Sequence, residues 1–141
     1  MKILAAIDGS ASALRALQYV LDHPDFFGAA PEVVLVHVHL PVPSPRARAV
    51  LGSTVIDQYY RDEADEALAP ARALLAPTAC KVLERTIIGQ PAPQIIGAAQ
   101  QHECDMIIMG THGRSAIENL FLGSVAMRVV AGSQIPVLSV R

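Results

Sequence analysis

Gly110, Gly113, Gly123 and Ser124 stand in the order glycine, two residues, glycine, nine residues, glycine–serine, directly behind the apolar run Met106 to Met109. Consecutive apolar residues of this kind read as a buried strand. A strand that passes through a glycine-rich loop into the start of a helix presents backbone N–H groups to an anion. Glycine at 110 and 113 lets the backbone approach such a ligand with no Cβ in the way, and His112 and Arg114 project from the same loop. The first N–H groups of a helix opening at Gly123 and Ser124 lack internal partners and carry the positive end of the helix dipole. The chemistry implied is phosphate recognition, so the chain reads as a nucleotide binder. Tight turns alone would use the same glycines, and spacing by itself leaves that alternative open.

Other residues have two readings each. The Ser124 hydroxyl can donate to a phosphate or cap its helix by accepting from the N–H of Met127. Asp8 follows the apolar run Ile3 to Ile7 and is either a turn-forming carboxylate or a ligand contact that accepts from a base amine or helps hold a metal. Arg114 pairs with phosphate or stays in solvent. His37 and His39, two apart on a strand, share one face, but no third metal ligand accompanies them at a convincing spacing. There is no GxxxxGK[ST] loop and no GxGxxG after the first strand, which argues against a P-loop NTPase and a dinucleotide enzyme. With no evident general base beside a positioned water, hydrolysis is expected to be slow at best. A side chain added at 113 or 123 is expected to obstruct a phosphate but bury nothing, leaving the fold intact.

The elements that position these residues follow from periodicity. Lys2 to Ile7 is of strand length, and Ser10 is a good N-cap for a helix with Ala13, Leu14, Leu17, Val20 and Leu21 on one face, stopped at His23-Pro24. A second strand covers Val33 to Leu40, and Pro41-Val42-Pro43-Ser44-Pro45 opens a loop to about Val55 that carries Arg46 and Arg48. A helix is expected from Ile56 to Leu75, kinked or restarted at Pro70, with its acidic residues on a solvated face. A third strand spans Val82 to Ile88, a helix Pro91 to about Gln101, and a fourth strand Asp105 to Gly110. A last helix from Ser124 to Val130 is closed by Gly132, and a last strand runs from Ile135 to Val140. Strands alternating with helices demand a parallel sheet covered on both faces, with ligands beyond the carboxyl ends of the strands where the winding reverses. Asp8 and Gly110 both fall at that end.

At 141 residues the chain suits one domain over 1–141, and 52% hydrophobic against 4% aromatic residues implies an aliphatic core. A net charge of −2 leaves no basic surplus for a nucleic-acid backbone. No stretch approaches the apolar length that spans a bilayer. Cys80 and Cys104 lack CxxC spacing, so the expectation is a protein of the reducing cytoplasm.

Four segments together, Ala6-Ile7-Asp8-Gly9-Ser10, Met109-Gly110-Thr111-His112-Gly113-Arg114-Ser115, Gly123-Ser124-Val125-Ala126 and Ile135-Pro136-Val137-Leu138, resemble the universal stress protein family and its ATP-binding branch. The resemblance spans essentially the whole chain. It implies a single-domain open five-stranded parallel sheet of order 3-2-1-4-5, Rossmann-like, with ATP, ADP or AMP bound across strands one and four, Mg2+ being a companion of the nucleotide. Carried onto matching positions, Asp8 and Val38 contact the adenine region, Met109, Gly110 and Gly113 the ribose and phosphates, and Gly123, Ser124 and Val125 the phosphates, with Arg114 beside them. It also implies a homodimer through the last strand, Val137 to Val140, which an exposed apolar edge invites and Pro136 does not forbid. The reading at this stage is a nucleotide-responsive stress or signalling factor with slow or absent turnover. The competing reading is a protein-interaction module whose nucleotide pocket is vestigial or structural.

Overall fold

The computed structural model describes residues 1–42, 52–113 and 122–141. Its strands are β1 (Lys2–Ala6), β2 (Glu32–His39), β3 (Lys81–Ile88), β4 (Met106–Gly110) and β5 (Val137–Val140). Its helices are α1 (Ala11–Asp22), a short α2 (Pro24–Phe27), α3 (Ser53–Leu75), α4 (Pro91–Gln101) and α5 (Ser124–Gly132). The strands form one sheet in the order β3-β2-β1-β4-β5, and every neighbouring pair is parallel.

Side-chain alternation along the central strands sorts the core into two layers. Ile3, Ala5, Leu35 and Ile108 pack with Leu17 of α1 and Leu68 and Ala71 of α3. Leu4, Ala6, Val34, Val36 and Ile107 pack on the other face with Ile95 and Ala99 of α4 and Val129 of α5. β1, β2 and β4 are thus buried on both sides, as their continuous apolar runs require. Cover does not extend to β3, where Val82 and Leu83 are exposed; the expectation of a sheet sheathed on both faces holds for its middle and not for this edge.

Several boundaries differ from the sequence reading for identifiable reasons. The His23-Pro24 stop is followed by one further turn, α2, with Pro24 at its start, a position where the missing N–H is unneeded. α3 begins at Ser53 and continues through Pro70 without a break: Ala67, Leu68, Ala71 and Leu75 on its inner face are buried, and that packing outweighs one missing rung. The loop expected over 41–55 therefore ends earlier, and its residues 43–51 lie outside the described residues. Gly132 is the last residue of α5 rather than its terminator, the cap being Ser133. A Cβ on Gly132 would stand 3.2 Å from Ile96 Cδ1, so this glycine serves the closeness of α4 and α5. β5 begins at Val137, although the carbonyl of Pro136 already accepts from the N–H of Ile107 at 2.9 Å.

Arg72 on α3 reaches the edge strand, where its Nε and Nη2 donate to Glu84 at 2.8 and 2.5 Å. These hydrogen bonds hold the Glu84 carboxyl below its usual range. Burial pushes the Cys104 thiol up, and no helix of the described residues is long and apolar enough to cross a membrane.

Candidate functional site

From β1 the chain moves outward to β2 and β3, then returns across the sheet to β4 and β5, so the winding reverses between β1 and β4. Above that point lies a cavity of about 510 Å³, within the range of small-molecule sites. Its apolar side is built by Ala6, Val36, Val38, Ile95 and Met109, and its polar side by Asp8, Ser10 and the backbone around Gly110 to Gly113 and Gly123 to Val125. Asp8, Val38, Met109, Gly110, Gly113, Gly123, Ser124 and Val125, expected from sequence, all line it. Arg114 lies outside the described residues.

Two helices begin at the rim and differ in their caps. α1 is closed by its own chain: Ser10 Oγ accepts from the N–H of Ala13 at 3.3 Å. α5 has Gly123 as its cap and no side-chain hydrogen bond there. Its ladder starts with the Met127 N–H donating to the Gly123 carbonyl at 2.9 Å, so the N–H groups of Ser124, Val125 and Ala126 precede the first rung. Ser124 is the first helical residue and does not cap Met127; that alternative is overturned, because Gly123 occupies the capping position. The turn ahead of α5 is tied back to the loop after β4 by the Gly123 N–H, which donates to the Thr111 carbonyl at 2.6 Å.

The three glycines do different jobs. Gly110 is buried under α1: a Cβ there would collide with Ser12 Oγ and stand 2.6 Å from the backbone nitrogen of Ala13. Its smallness is demanded by the fold, not by a ligand alone. A Cβ on Gly123 would stand 2.9 Å from the Thr111 carbonyl oxygen, so a side chain at 123 would press on the protein's own backbone as well as on a ligand. A Cβ on Gly113 would meet only the far end of a side chain, Asp8 Oδ2, at 2.8 Å. Asp8 itself forms the turn into α1, its Oδ1 accepting from the Ser10 N–H at 2.9 Å, while Gly9 takes a φ of 82° that disfavours other residues.

Comparison with known proteins bears on this arrangement. The universal stress protein family matches residues 1–141. The chain belongs to that family. A universal stress protein of Thermus aquaticus is 35% identical over 142 residues, covering 99% of this chain and 97% of the relative. The structure of protein MJ0577 of Methanocaldococcus jannaschii superposes with a TM-score of 0.82 at 29% identity, covering 99% of this chain and 94% of that one. The universal stress protein of Archaeoglobus fulgidus in complex with dAMP has a TM-score of 0.66 at 22% identity, covering 100% and 98%, a likeness of fold.

On the opposite face of β2 from Val38, this universal stress protein buries both His37 and His39, edge to face with ring centroids 4.3 Å apart. His37 Nδ1 lies 2.7 Å from the Ile7 carbonyl; a carbonyl only accepts, so Nδ1 carries the proton. Glu63, from α3, stands 3.2 Å from His39 Nδ1. Among the described residues no group of three ligands could hold a metal ion.

Sequence reasoning missed Ser12. It is buried within α1, yet its hydroxyl donates to the His112 carbonyl at 2.6 Å, joining the two loops of the rim. The serine pair Ser10-x-Ser12 was the available signal, but a serine inside a helix ordinarily faces solvent or bonds its own turn.

Proposed function

We propose that this universal stress protein binds an adenine nucleotide across the carboxyl ends of β1 and β4, ATP foremost, with ADP and AMP as alternatives. The observation that carries the reading is the first turn of α5 opening onto a glycine-lined cavity: N–H groups that no side-chain cap satisfies among the described residues meet a helix dipole there. The apolar side formed by Val36, Val38 and Met109 suits a base, with Asp8 placed to accept from its amine or from the ribose. Phosphates then lie along Gly113, Gly123, Ser124 and Val125, and Arg114 pairs with them. The dAMP held by the Archaeoglobus fulgidus relative accords with an adenine ligand.

Mg2+ accompanies the nucleotide in this reading. Asp8 is the one carboxylate among the described residues lining the cavity, so the ion would rest chiefly on the phosphates, whose charge it would screen. Turnover is slow or absent, because among the described lining residues only Asp8 and His112 can take a proton from water. The protein acts as a cytoplasmic stress or signalling factor whose ligand reports nucleotide state, and it pairs as a homodimer along β5.

Isothermal titration of the purified chain tests the binding. One adenine nucleotide per chain, with ATP bound more tightly than adenosine, is expected. Absence of heat and of spectroscopic change up to about 1 mM ATP overturns the reading in favour of an interaction module with a structural pocket.

A further inference from the structure

The carbonyl of His112 is held from one side by two hydroxyls. Ser12 Oγ donates to it at 2.6 Å and Ser10 Oγ at 3.2 Å, and the two hydroxyls lie 3.3 Å from each other. Ser10 caps α1 and Ser12 lies in its first turn, and the Ser12 side chain is buried, with 6% of the residue exposed. A trans peptide is planar, with its C=O and N–H pointing in opposite directions, and there is no cis bond among the described residues. Fixing the His112 carbonyl against α1 therefore fixes the N–H of Gly113, the other half of the same peptide, facing away from α1. Among the described residues no backbone carbonyl accepts from that N–H, and the Gly113 nitrogen lies 3.9 Å from where a Cβ on Gly123 would stand. It thus sits beside the cap of the helix whose first N–H groups have no side-chain cap among the described residues.

From this we infer that Ser12 is a positioning residue for the phosphate end of the nucleotide: its hydroxyl sets the His112–Gly113 peptide so that the Gly113 amide joins the N-terminal amides of α5 in one anion seat. The inference rests on the nucleotide reading above and assigns Ser12 no contact with ligand. Without the hydroxyl, the peptide loses its shorter bond and keeps the longer one from Ser10, so the amide is aimed less firmly. The base, seated on the apolar side of the cavity, is untouched.

Ser12→Ala separates the two ends of the ligand. Titration with ATP and with adenosine, each on wild type and variant, is expected to show ATP weakened about tenfold by loss of one aligned amide and adenosine unchanged. An equal loss for both ligands, or no loss for ATP, overturns the role of Ser12 while leaving the nucleotide reading in place. A wild type that binds neither ligand overturns that reading and the inference with it. If Ser12→Ala does not fold, the wild type decides by NMR: the Gly113 amide proton shifts downfield with ATP and not with adenosine, and an amide indifferent to ATP overturns the inference.

Discussion

The carboxylate of Asp8 closes directly over the α-carbon of Gly113, so that a Cβ at 113 would stand 2.8 Å from Asp8 Oδ2. The turn after β1 and the loop after β4 are thus in contact through an atom of one side chain and the absence of another. Asp8 Oδ1 is tethered by the Ser10 N–H, so the carboxylate can yield to an added methyl only by turning away from the cavity. Gly113→Ala is expected to leave thermal stability within about 0.5 kcal/mol of wild type, as at other exposed positions, and to weaken ATP about tenfold. Asp8→Ala removes the atom that the methyl meets, so the double variant should bind no worse than Asp8→Ala alone. Full additivity of the two losses in a double-mutant cycle would count against contact between these residues.

Gly110 should behave oppositely, although it belongs to the same motif. Its added Cβ meets the backbone of α1 at Ala13 and at Ser12, where nothing can swing aside without moving the helix. Gly110→Ala is expected to destabilise the fold by about 1–3 kcal/mol, the usual cost of overpacking, read from urea midpoints with and without nucleotide. A variant as stable as the parent would show that α1 shifts freely, contrary to its packing on β4.

The contrast explains what was legible beforehand. The central strands were readable because buried parallel strands are apolar runs with turn chemistry between them, as in Asp105 to Gly110 and Val33 to Leu40, whereas the strand order came from the family resemblance and not from the runs themselves. Asp8 and the glycines at 110, 113 and 123 were readable because a strand-end aspartate and loop glycines are placed by local rules, while Val38, Met109 and Val125 came only from the family resemblance. Ser12 was not, because its partner His112 is 100 residues away and nothing local marks a helical serine as a bridge. Pro70 misled, since a local rule about one lost hydrogen bond yielded to the burial of Ala67, Leu68 and Ala71. Gly132 was read as the terminator of the last helix, whereas it is its final residue and lies against Ile96.

The ion pair on the β3 edge sets part of the acid sensitivity of the fold. Hydrogen bonds from Arg72 hold the Glu84 carboxyl below its usual range, so its contribution is complete above the unfolded value near about 4.3 and is lost as pH falls through the lower folded value. The pair is partly exposed, which limits its worth to about 1 kcal/mol or less. Glu84→Gln is expected to be less stable than wild type at pH 7 by that amount, with the gap narrowing as pH falls through the lowered folded value, by urea unfolding at each pH. A gap that persists unchanged in acid would remove the ionic explanation.

Thiol reactivity should split between the two cysteines. Cys104 is buried and burial raises its thiol above the usual range, which lowers the reactive thiolate fraction. Cys80 is half-buried. A maleimide at neutral pH is expected to label Cys80 within minutes to an hour and Cys104 only on unfolding, as peptide mapping by mass spectrometry would show. Prompt labelling of Cys104 in the folded chain would mean that the β4 end of the sheet opens far more often than its packing allows.

The open edge of β5 gives the proposed homodimer a sharp test. The carbonyls of Pro136 and Val140 accept from Ile107 of β4 and from Thr111 just after it, and parallel pairing alternates, so the N–H and C=O of Val137 and Ser139 point away from the sheet. Proline at 139 removes a donor that β4 does not use and disturbs only what pairs on the free side. Ser139 Oγ is buried with no hydrogen-bond partner among the described residues, so losing the hydroxyl sacrifices no bond. Ser139→Pro is therefore expected to convert a dimer into a folded monomer with unchanged helical signal, measured by light scattering after size exclusion. A variant that stays dimeric would move the interface off β5, and a wild type that is already monomeric at micromolar concentration would show that this edge is protected by its brevity rather than by a partner.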